Sequence, residues 1–119
     1  MQRLGVVARL FPLVASGEKT STIRWREAGI QPGYLRYVCD DDPESTLIVW
    51  VTRCTSMPLS DAAGFVGRAE DWPKDVMLAG MREHYPAIQW TDTVQVIEHL
   101  TPEETGRRAD FPGVAARKS

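Results

Sequence analysis

The sequence predicts a single α+β domain, and three observations support that class. Residues 46–55 form a nearly continuous apolar run of strand length, and shorter strand-like segments lie on both sides of it. Two helices are predicted within residues 62–85, the first from an N-cap signal and the second from an apolar stripe at helical spacing. A chain of 119 residues with 43% hydrophobic content can bury one core. Several strands that cross a small core with helices at one side are typical of α+β proteins.

The N-terminal part is predicted to form a short strand followed by a short helix. Residues 3–7 have strand character, and residues 8–16 carry leucine and valine at helical spacing. Gly17 is a typical residue for a helix end. Pro12 would lie inside this helix, so the helix is expected to begin near Phe11, where a proline is tolerated in the first turn.

The middle of the chain is predicted to contain three strands. Residues 20–26 alternate in the manner of a strand, and residues 28–33 form a loop rich in glycine and proline. Residues 34–39 are apolar and aromatic, and residues 40–44 form an acidic turn. Because residues 46–55 are apolar on both faces, we expect both faces of that strand to be at least partly covered.

Two helices and a closing strand follow. Ser60 and Asp61 predict the N-cap of a helix over residues 62–68. A second helix opens with residues 70–73, with Pro73 in its first turn, and Tyr85 ends it. Residues 89–100 form the closing strand.

The C-terminal part differs in composition. Residues 102–119 are mainly polar and have little to bury, so we predict a domain over residues 1–101 and a loosely attached tail over 102–119. Phe111 and Pro112 are the candidates for holding that tail to the domain.

The charge distribution favours a small polar ligand. The net charge is −2 at pH 7, yet residues 1–26 carry five basic residues against one acidic residue. A protein that binds long nucleic acid normally has a net basic surface. The distribution therefore argues against that partner without excluding it, and it leaves the oligomeric state open.

No cofactor, metal or membrane is expected. No apolar run approaches the roughly 20 residues that cross a bilayer, and the N-terminus does not read as a signal peptide, so we expect a cytoplasmic protein. The two cysteines, Cys39 and Cys54, are expected to be reduced. With His84 and His99 they show no zinc-ligand spacing, which makes a metal site improbable.

The most informative stretch is residues 17–24, Gly-Glu-Lys-Thr-Ser-Thr-Ile-Arg. In an extended chain, alternate side chains share a face. Thr22 and Arg24 therefore share one face, and Lys19 at the helix-to-strand corner can reach either face. An amine, a hydroxyl and a guanidinium are expected to meet in one small volume. The alternative is a solvated strand face with threonine present for its β propensity.

Residues 17–24 resemble the signature Gly-x-Lys-Thr-x-Thr-x-Arg of the ASCH domain family, which is PUA-like. Within that family the chain is most similar to the small bacterial N4-acetylcytidine amidohydrolases. Residues 31–38 resemble the Pro/Thr-Gly-Asp-x-Leu-x-Val run of the family, with Tyr34 where aspartate is usual. Glu70 stands 15 residues before Tyr85 of a Tyr-Pro pair, the spacing found in the family. The match covers roughly residues 5 to 100.

The resemblance implies a small PUA-like β-barrel of about five to six strands with three short helices. It also implies an amidohydrolase that removes an acyl group from the exocyclic N4 of a cytidine-type nucleoside, with Lys19, Thr22 and Glu70 as catalytic residues. Lys19 would move protons, and Glu70 would activate a water or hold Lys19. Thr22 would either attack the carbonyl or hydrogen-bond its oxygen. As an alternative, Glu70 would only stabilise the positive end of a helix.

Three further residues are candidates for binding the small-molecule nucleoside. Arg24 would contact the cytosine or acyl oxygen, although a structural ion pair is an equal alternative. Trp72, two residues from Glu70, is the candidate for stacking on the base. Ser21 lies near the expected pocket without an assigned task.

Two other functions stay open at this point. The first is an RNA-binding module or a ribonuclease, in which Lys19, Arg24, Arg26 and Arg36 would contact phosphate and affinity would fall steeply with salt. The second is a regulatory ligand-binding domain that uses the same pocket without turnover.

Overall fold

The computed structural model of the protein describes residues 1–27 and 29–112. Within them the strands are β1 (Gln2–Val6), β2 (Ser21–Arg24), β3 (Gly33–Cys39), β4 (Asp42–Pro58) and β5 (Thr93–His99). The helices are α1 (Phe11–Ser16), α2 (Leu59–Phe65), α3 (Lys74–Arg82) and α4 (Pro102–Gly106).

The predicted α+β class is confirmed. The described strands form one mixed sheet in the order β1-β3-β4-β5-β2, in which β1 is parallel to β3 and β3 is antiparallel to β4. Five strands lie within the predicted range of five to six. The three predicted helices correspond to α1, α2 and α3, and α4 is an addition in the part of the chain that composition marked as a tail.

The described residues group into two compact units. The first unit contains residues 1–20, 30–53 and those from 98 onward, and the second contains residues 21–29 and 54–97. Strands β4 and β5 contribute residues to both units.

The core of the first unit is made by the inward faces of β3 and β4. Leu35, Tyr37, Val49 and Val51 have no exposed surface, and Leu35 lies opposite Val49 in the antiparallel register. Alternation with period two places these residues on one side of the sheet. The other face of β4 is also partly covered, because Trp50 is half-buried, and the prediction of two covered faces is confirmed there.

The core of the second unit is made where α2 and α3 pack with apolar residues of β5. It contains the buried residues Trp25, Leu59, Ala62, Ala63, Met77, Ile88, Val94 and Val96. Trp72, Tyr85 and Trp90 are partly buried and pack against this cluster. Each helix therefore contributes one apolar face, which is the usual source of helix stability in a small domain.

Helix α1 agrees with the sequence-based expectation. It begins at Phe11, so Pro12 lies in its first turn, and Gly17 ends it in the left-handed conformation with φ 87°. A side chain at Gly17 would also meet Thr101, since a Cβ there would lie 2.9 Å from that threonine's methyl group. Both the backbone angle and the packing therefore require glycine.

The two central helices begin at different residues from those predicted. Helix α2 starts directly after Pro58, ahead of the predicted cap at Ser60. Helix α3 has Pro73 as its N-cap in an extended conformation. A residue before proline is disfavoured in helical geometry, so Trp72 cannot join the helix, and Glu70 lies in the turn before it.

Helix α4 depends on a local hydrogen-bond pair that composition does not reveal. The Thr101 hydroxyl accepts from the Glu104 backbone, and the Glu104 carboxylate accepts from the Thr101 backbone, which forms a capping box. Residues 113–119 of the predicted tail lie outside the described residues, and the boundary at residue 101 stays a prediction. In the described part of the chain, no helix is long and apolar enough to span a bilayer.

Candidate functional site

Strand β2 brings Thr22 and Arg24 together, as the alternation of the sequence predicted. Thr22 is only 5% exposed. The Nε–H of Arg24 donates a hydrogen bond of 2.8 Å to Thr22 Oγ1. A hydroxyl buried on a strand next to a guanidinium is not a solvated face, so that alternative is wrong for this pair.

Arg24 is held from its other side by a carboxylate. Its Nη1 lies 3.5 Å from Glu27 Oε2, and the Arg24 side chain is only 15% exposed. The same carboxylate oxygen accepts the hydroxyl proton of Tyr85. Thr22, Arg24, Glu27 and Tyr85 therefore form one continuous polar chain within the second unit, and we name it the Thr22–Tyr85 chain.

The Thr22–Tyr85 chain determines which hydrogen bonds the Thr22 hydroxyl can still make. A threonine oxygen has one proton to donate and two lone pairs that accept. Because Arg24 donates to a lone pair, the hydroxyl proton of Thr22 is directed elsewhere. Arg24 also stabilises negative charge on Thr22 Oγ1, since hydrogen bonds from ionised donors are about twice as strong as neutral ones. The hydroxyl is therefore suited to donate to an oxygen on which negative charge develops.

Tyr85 is held as a neutral donor at the end of the chain. Burial raises the pKa of Tyr85 to about 12, and the hydrogen bond to Glu27 acts in the same direction, while Arg24 opposes it. Its ring meets the Trp25 ring edge-on, with centroids 6.0 Å apart and planes at 81°. This edge-to-face contact is a favoured aromatic geometry.

Lys19 lies in the first unit, just ahead of β2. It is half-buried, and its backbone N–H donates to the Leu13 carbonyl at 3.0 Å. Its charge acts on His99: burial lowers the pKa of His99, the hydrogen bond to Leu100 opposes this, and Lys19 lowers the pKa further. The Lys19 amine is thus in electrostatic range of a buried imidazole. Its convergence with Thr22 and Arg24 stays a prediction.

The remaining predicted site residues lie in the second unit. Glu70 is exposed in the turn before α3 and makes no hydrogen bond or ion pair with any residue that the structure describes. Trp72 is half-buried, with the Arg68 guanidinium carbon 5.9 Å from its ring centroid. Trp72 and Trp90 line an open groove of about 380 Å³. Ser21, the first residue of β2, is half-buried.

Glu27 and Tyr85 are the residues of the Thr22–Tyr85 chain that were not predicted to have a functional role. In the sequence, Tyr85 marked the end of the second predicted helix and the spacing from Glu70, and neither use gave it a chemical role. Glu27 stands three residues after Arg24, a spacing at which an ion pair forms easily, but Arg26 between them has a left-handed backbone with φ 58°. Its guanidinium carbon lies 4.1 Å from the Trp25 ring centroid. The turn at Arg26, rather than a helix, brings Glu27 back to Arg24.

Among residues 1–27 and 29–112, no group of three or more histidine, cysteine, aspartate or glutamate side chains is arranged to hold a metal ion.

Comparisons with known proteins bear on the fold. No family model and no curated protein matches the sequence. Two crystal structures of ZmASCH from Zymomonas mobilis match the structure. A tyrosine-to-phenylalanine variant has a TM-score of 0.62 at 11% identity over 82% of this chain and 67% of that one. A serine-to-alanine variant has a TM-score of 0.60 at 12% identity over 92% and 80%. This protein therefore has the α+β, PUA-like fold of an ASCH domain.

Proposed function

We propose that this protein is an amidohydrolase that removes an acyl group from the exocyclic N4 of a cytidine-type nucleoside. The observation that supports this best is the Thr22–Arg24 pair, a buried hydroxyl with a charged donor on its oxygen. The ASCH-like fold and the resemblance of residues 17–24 to the amidohydrolase signature agree with it. Lys19, Thr22 and Glu70 are the proposed catalytic residues.

The proposed reaction is hydrolysis of an amide bond by water. Glu70 accepts a proton from water, and the resulting hydroxide attacks the acyl carbon to form a tetrahedral oxyanion. Thr22 donates its hydroxyl hydrogen bond to that oxyanion, a contact that gains strength as charge develops. The Lys19 ammonium protonates N4 as the C–N bond breaks. The products are a carboxylic acid and the free exocyclic amine.

The same reaction permits a second role for Thr22. Its hydroxyl oxygen would attack the acyl carbon itself, with its proton passing to Lys19, and water would then hydrolyse the ester. The hydrogen bond from Arg24 favours the first route, because it occupies a lone pair of the oxygen that would attack and lowers its nucleophilicity. An acyl-enzyme trapped at Thr22 and seen by mass spectrometry would instead support the second.

The base is proposed to bind through Trp72, Ser21 and Arg24. Trp72 presents a flat apolar surface beside a groove, which suits a planar heterocycle. Arg24 retains donors beyond its Nε, and these are proposed to face the cytosine or acyl oxygen.

The experiment is turnover of N4-acetylcytidine by the purified protein, followed by ultraviolet absorbance. Wild type is expected to deacetylate it, and Lys19→Ala and Glu70→Gln are each expected to lower kcat/KM by about 10²–10⁴-fold. Glu44→Gln, an exposed change in β4, is the matched control and should retain wild-type activity. Unchanged turnover in both test variants would remove their catalytic roles.

A wild-type protein without turnover would remove the amidohydrolase proposal. Oligonucleotide binding that weakens steeply with salt would then favour the RNA-binding alternative. Salt-independent binding of cytidine without turnover would favour a regulatory ligand-binding domain.

A further inference from the structure

The Thr22–Tyr85 chain ends with two residues, Glu27 and Tyr85, that have no role in the proposed reaction. Glu27 is 35% exposed at its side chain, yet its Oε2 atom lies near Arg24 Nη1 and accepts the Tyr85 hydroxyl. A carboxylate this exposed would ordinarily be free to leave a surface ion pair, because such pairs contribute little. A second donor on the same oxygen restricts where that carboxylate can lie.

The position of the Tyr85 hydroxyl is determined by the apolar core. The Tyr85 ring packs against the buried cluster of the second unit and meets Trp25 edge-on. Its backbone is fixed on both sides, since its N–H donates to Met81 at 2.9 Å and its carbonyl accepts from Ile88 at 3.0 Å. Tyr85 is half-buried, and movement of its ring would break these contacts, so the core restricts where its hydroxyl can lie.

We propose that Tyr85 and Glu27 are positioning residues that hold the Arg24 guanidinium against the Thr22 hydroxyl. The core places Tyr85, Tyr85 places the Glu27 carboxylate, and the carboxylate places Arg24. Arg24 then orients the lone pairs of Thr22, so that the Thr22 proton points toward the substrate oxygen. The inference rests on the proposed function for its catalytic consequence, but the hydrogen-bonded arrangement is independent of that function.

Kinetics test the catalytic part. Tyr85→Phe removes one oxygen and keeps the ring, and it is expected to lower kcat about tenfold while KM changes less than about twofold. Such a split follows because Thr22 acts on the oxyanion, whose charge develops in the transition state and is absent from the bound substrate. Glu27→Gln, which keeps an acceptor oxygen, should retain more activity than Glu27→Ala.

A tyrosine elsewhere in the protein offers a matched control for the tyrosine-to-phenylalanine change. Tyr34 also donates its hydroxyl to a carboxylate, Asp110 Oδ1, at 2.6 Å, but it lies in the first unit. Tyr34→Phe should leave kcat and KM at wild-type values. Equal kinetic effects of Tyr34→Phe and Tyr85→Phe, or none from Tyr85→Phe, would overturn the positioning role.

A second measurement, by NMR, tests the hydrogen-bonded arrangement of Arg24 without requiring substrate turnover. In the NMR spectrum of protein labelled with ¹⁵N-arginine, the Nε–H of Arg24 is expected to exchange slowly with water, and Arg24→Lys assigns its signal. Tyr85→Phe should speed this exchange about tenfold or more. The Nε–H of Arg82, which donates to the Ile88 carbonyl at 3.0 Å, is the internal reference and should not change.

The two measurements separate the two proposals. One possible result is that the wild-type protein shows no turnover, while Tyr85→Phe speeds the Nε–H exchange of Arg24 and leaves that of Arg82 unchanged. That result would remove the proposed function and support the positioning arrangement. Arg24 exchange that is fast in wild type, or unchanged in Tyr85→Phe, would overturn the arrangement whatever the kinetics show. Faster exchange of both arginines would show a general loosening of the second unit and would also overturn it.

Discussion

Each unit contains a tyrosine whose hydroxyl donates to a carboxylate that lies beside an arginine. In the second unit the three residues are Tyr85, Glu27 and Arg24, and in the first they are Tyr34, Asp110 and Arg108. In both cases the arginine lies 3.5 Å from the carboxylate. Each tyrosine also meets a tryptophan edge-on with planes at 81°. The two clusters are therefore built from the same side-chain types.

They differ in what the arginine contacts next. Arg24 Nε donates to the buried hydroxyl of Thr22. Arg108 instead stacks on Trp50, with its guanidinium carbon 3.4 Å from the ring centroid. Its buried Nε faces Asp110 without hydrogen-bond geometry. The cluster in the second unit thus ends at the Thr22 hydroxyl, a group that can take part in a reaction. The cluster in the first unit holds the segment after α4 against the sheet.

The largest effect is expected from the two buried threonines. Thr22→Val should lower kcat about 10²-fold, because an oxyanion donor is lost. Thr105 is also buried, but its Oγ1 accepts the Trp50 backbone N–H at 2.9 Å. Thr105→Val should leave kcat unchanged and lower the free energy of unfolding by about 1–3 kcal/mol, since that N–H loses its partner. Turnover and urea unfolding of both variants test this, and the reverse pattern would contradict the contrast between the clusters.

The next effect concerns the stacked arginine. Arg108→Ala should lower the free energy of unfolding by about 1 kcal/mol, because it removes the cation–π contact with Trp50. Arg107, whose side chain is 70% exposed and forms an ion pair with the exposed Glu103 four residues earlier, is the control. Arg107→Ala should change stability by less than about 0.5 kcal/mol. Equal losses would mean that the stacking contributes nothing.

Alkaline pH should separate the two tyrosines. A phenol whose folded pKa is raised contributes stability that is fully present below its unfolded pKa of 10.0 and is lost as pH rises through the folded value. For Tyr85 that window runs from about pH 10 to about 12. Unfolding measured at pH 9 and pH 11 should show a smaller loss in Tyr85→Phe than in wild type. Tyr34→Phe should differ less from wild type than Tyr85→Phe does, because burial and Asp110 raise the pKa of Tyr34 while Arg108 lowers it.

The smallest effect on stability is expected from the contact between a third tyrosine, Tyr37, and the neutral side chain of His99. The Tyr37 hydroxyl lies 2.9 Å from His99 Nε2, and His99 Nδ1 lies 2.8 Å from the Leu100 carbonyl, which makes Nδ1 the donor and Nε2 the acceptor. Burial lowers the pKa of His99 from 6.5. Below about pH 6.5, His99 binds a proton more readily in the unfolded protein than in the folded protein. The free energy of unfolding should therefore fall as pH decreases below about 6.5.

Urea unfolding at pH 7.5 and pH 5.5 measures this effect. His99→Gln should show a weaker dependence on pH than wild type. The exposed His84 supplies the control, and His84→Gln should keep the wild-type dependence. A dependence that survives in His99→Gln would assign it to other groups.

Much of this fold follows from patterns between near neighbours. The period-two alternation of residues 20–26 placed Thr22 and Arg24 on one face, and the structure has them hydrogen-bonded. Gly17 predicted the end of α1, and Pro12 its start. These features are readable because strand and helix periods relate side chains only a few residues apart.

The partners of those residues were decided by the path of the chain. Tyr85 reaches Glu27 across 58 positions, and Tyr34 reaches Asp110 across 76. Neither pair leaves a periodic signal, and α4 lies in a polar segment whose stability comes from a capping box and its packing. The sequence by itself therefore determined the strands, the approximate positions of α1 to α3, the face of β2 and the candidate chemistry. Only the tertiary structure decided which carboxylate each tyrosine meets and that Arg108 stacks on an indole, because such contacts depend on how distant segments pack.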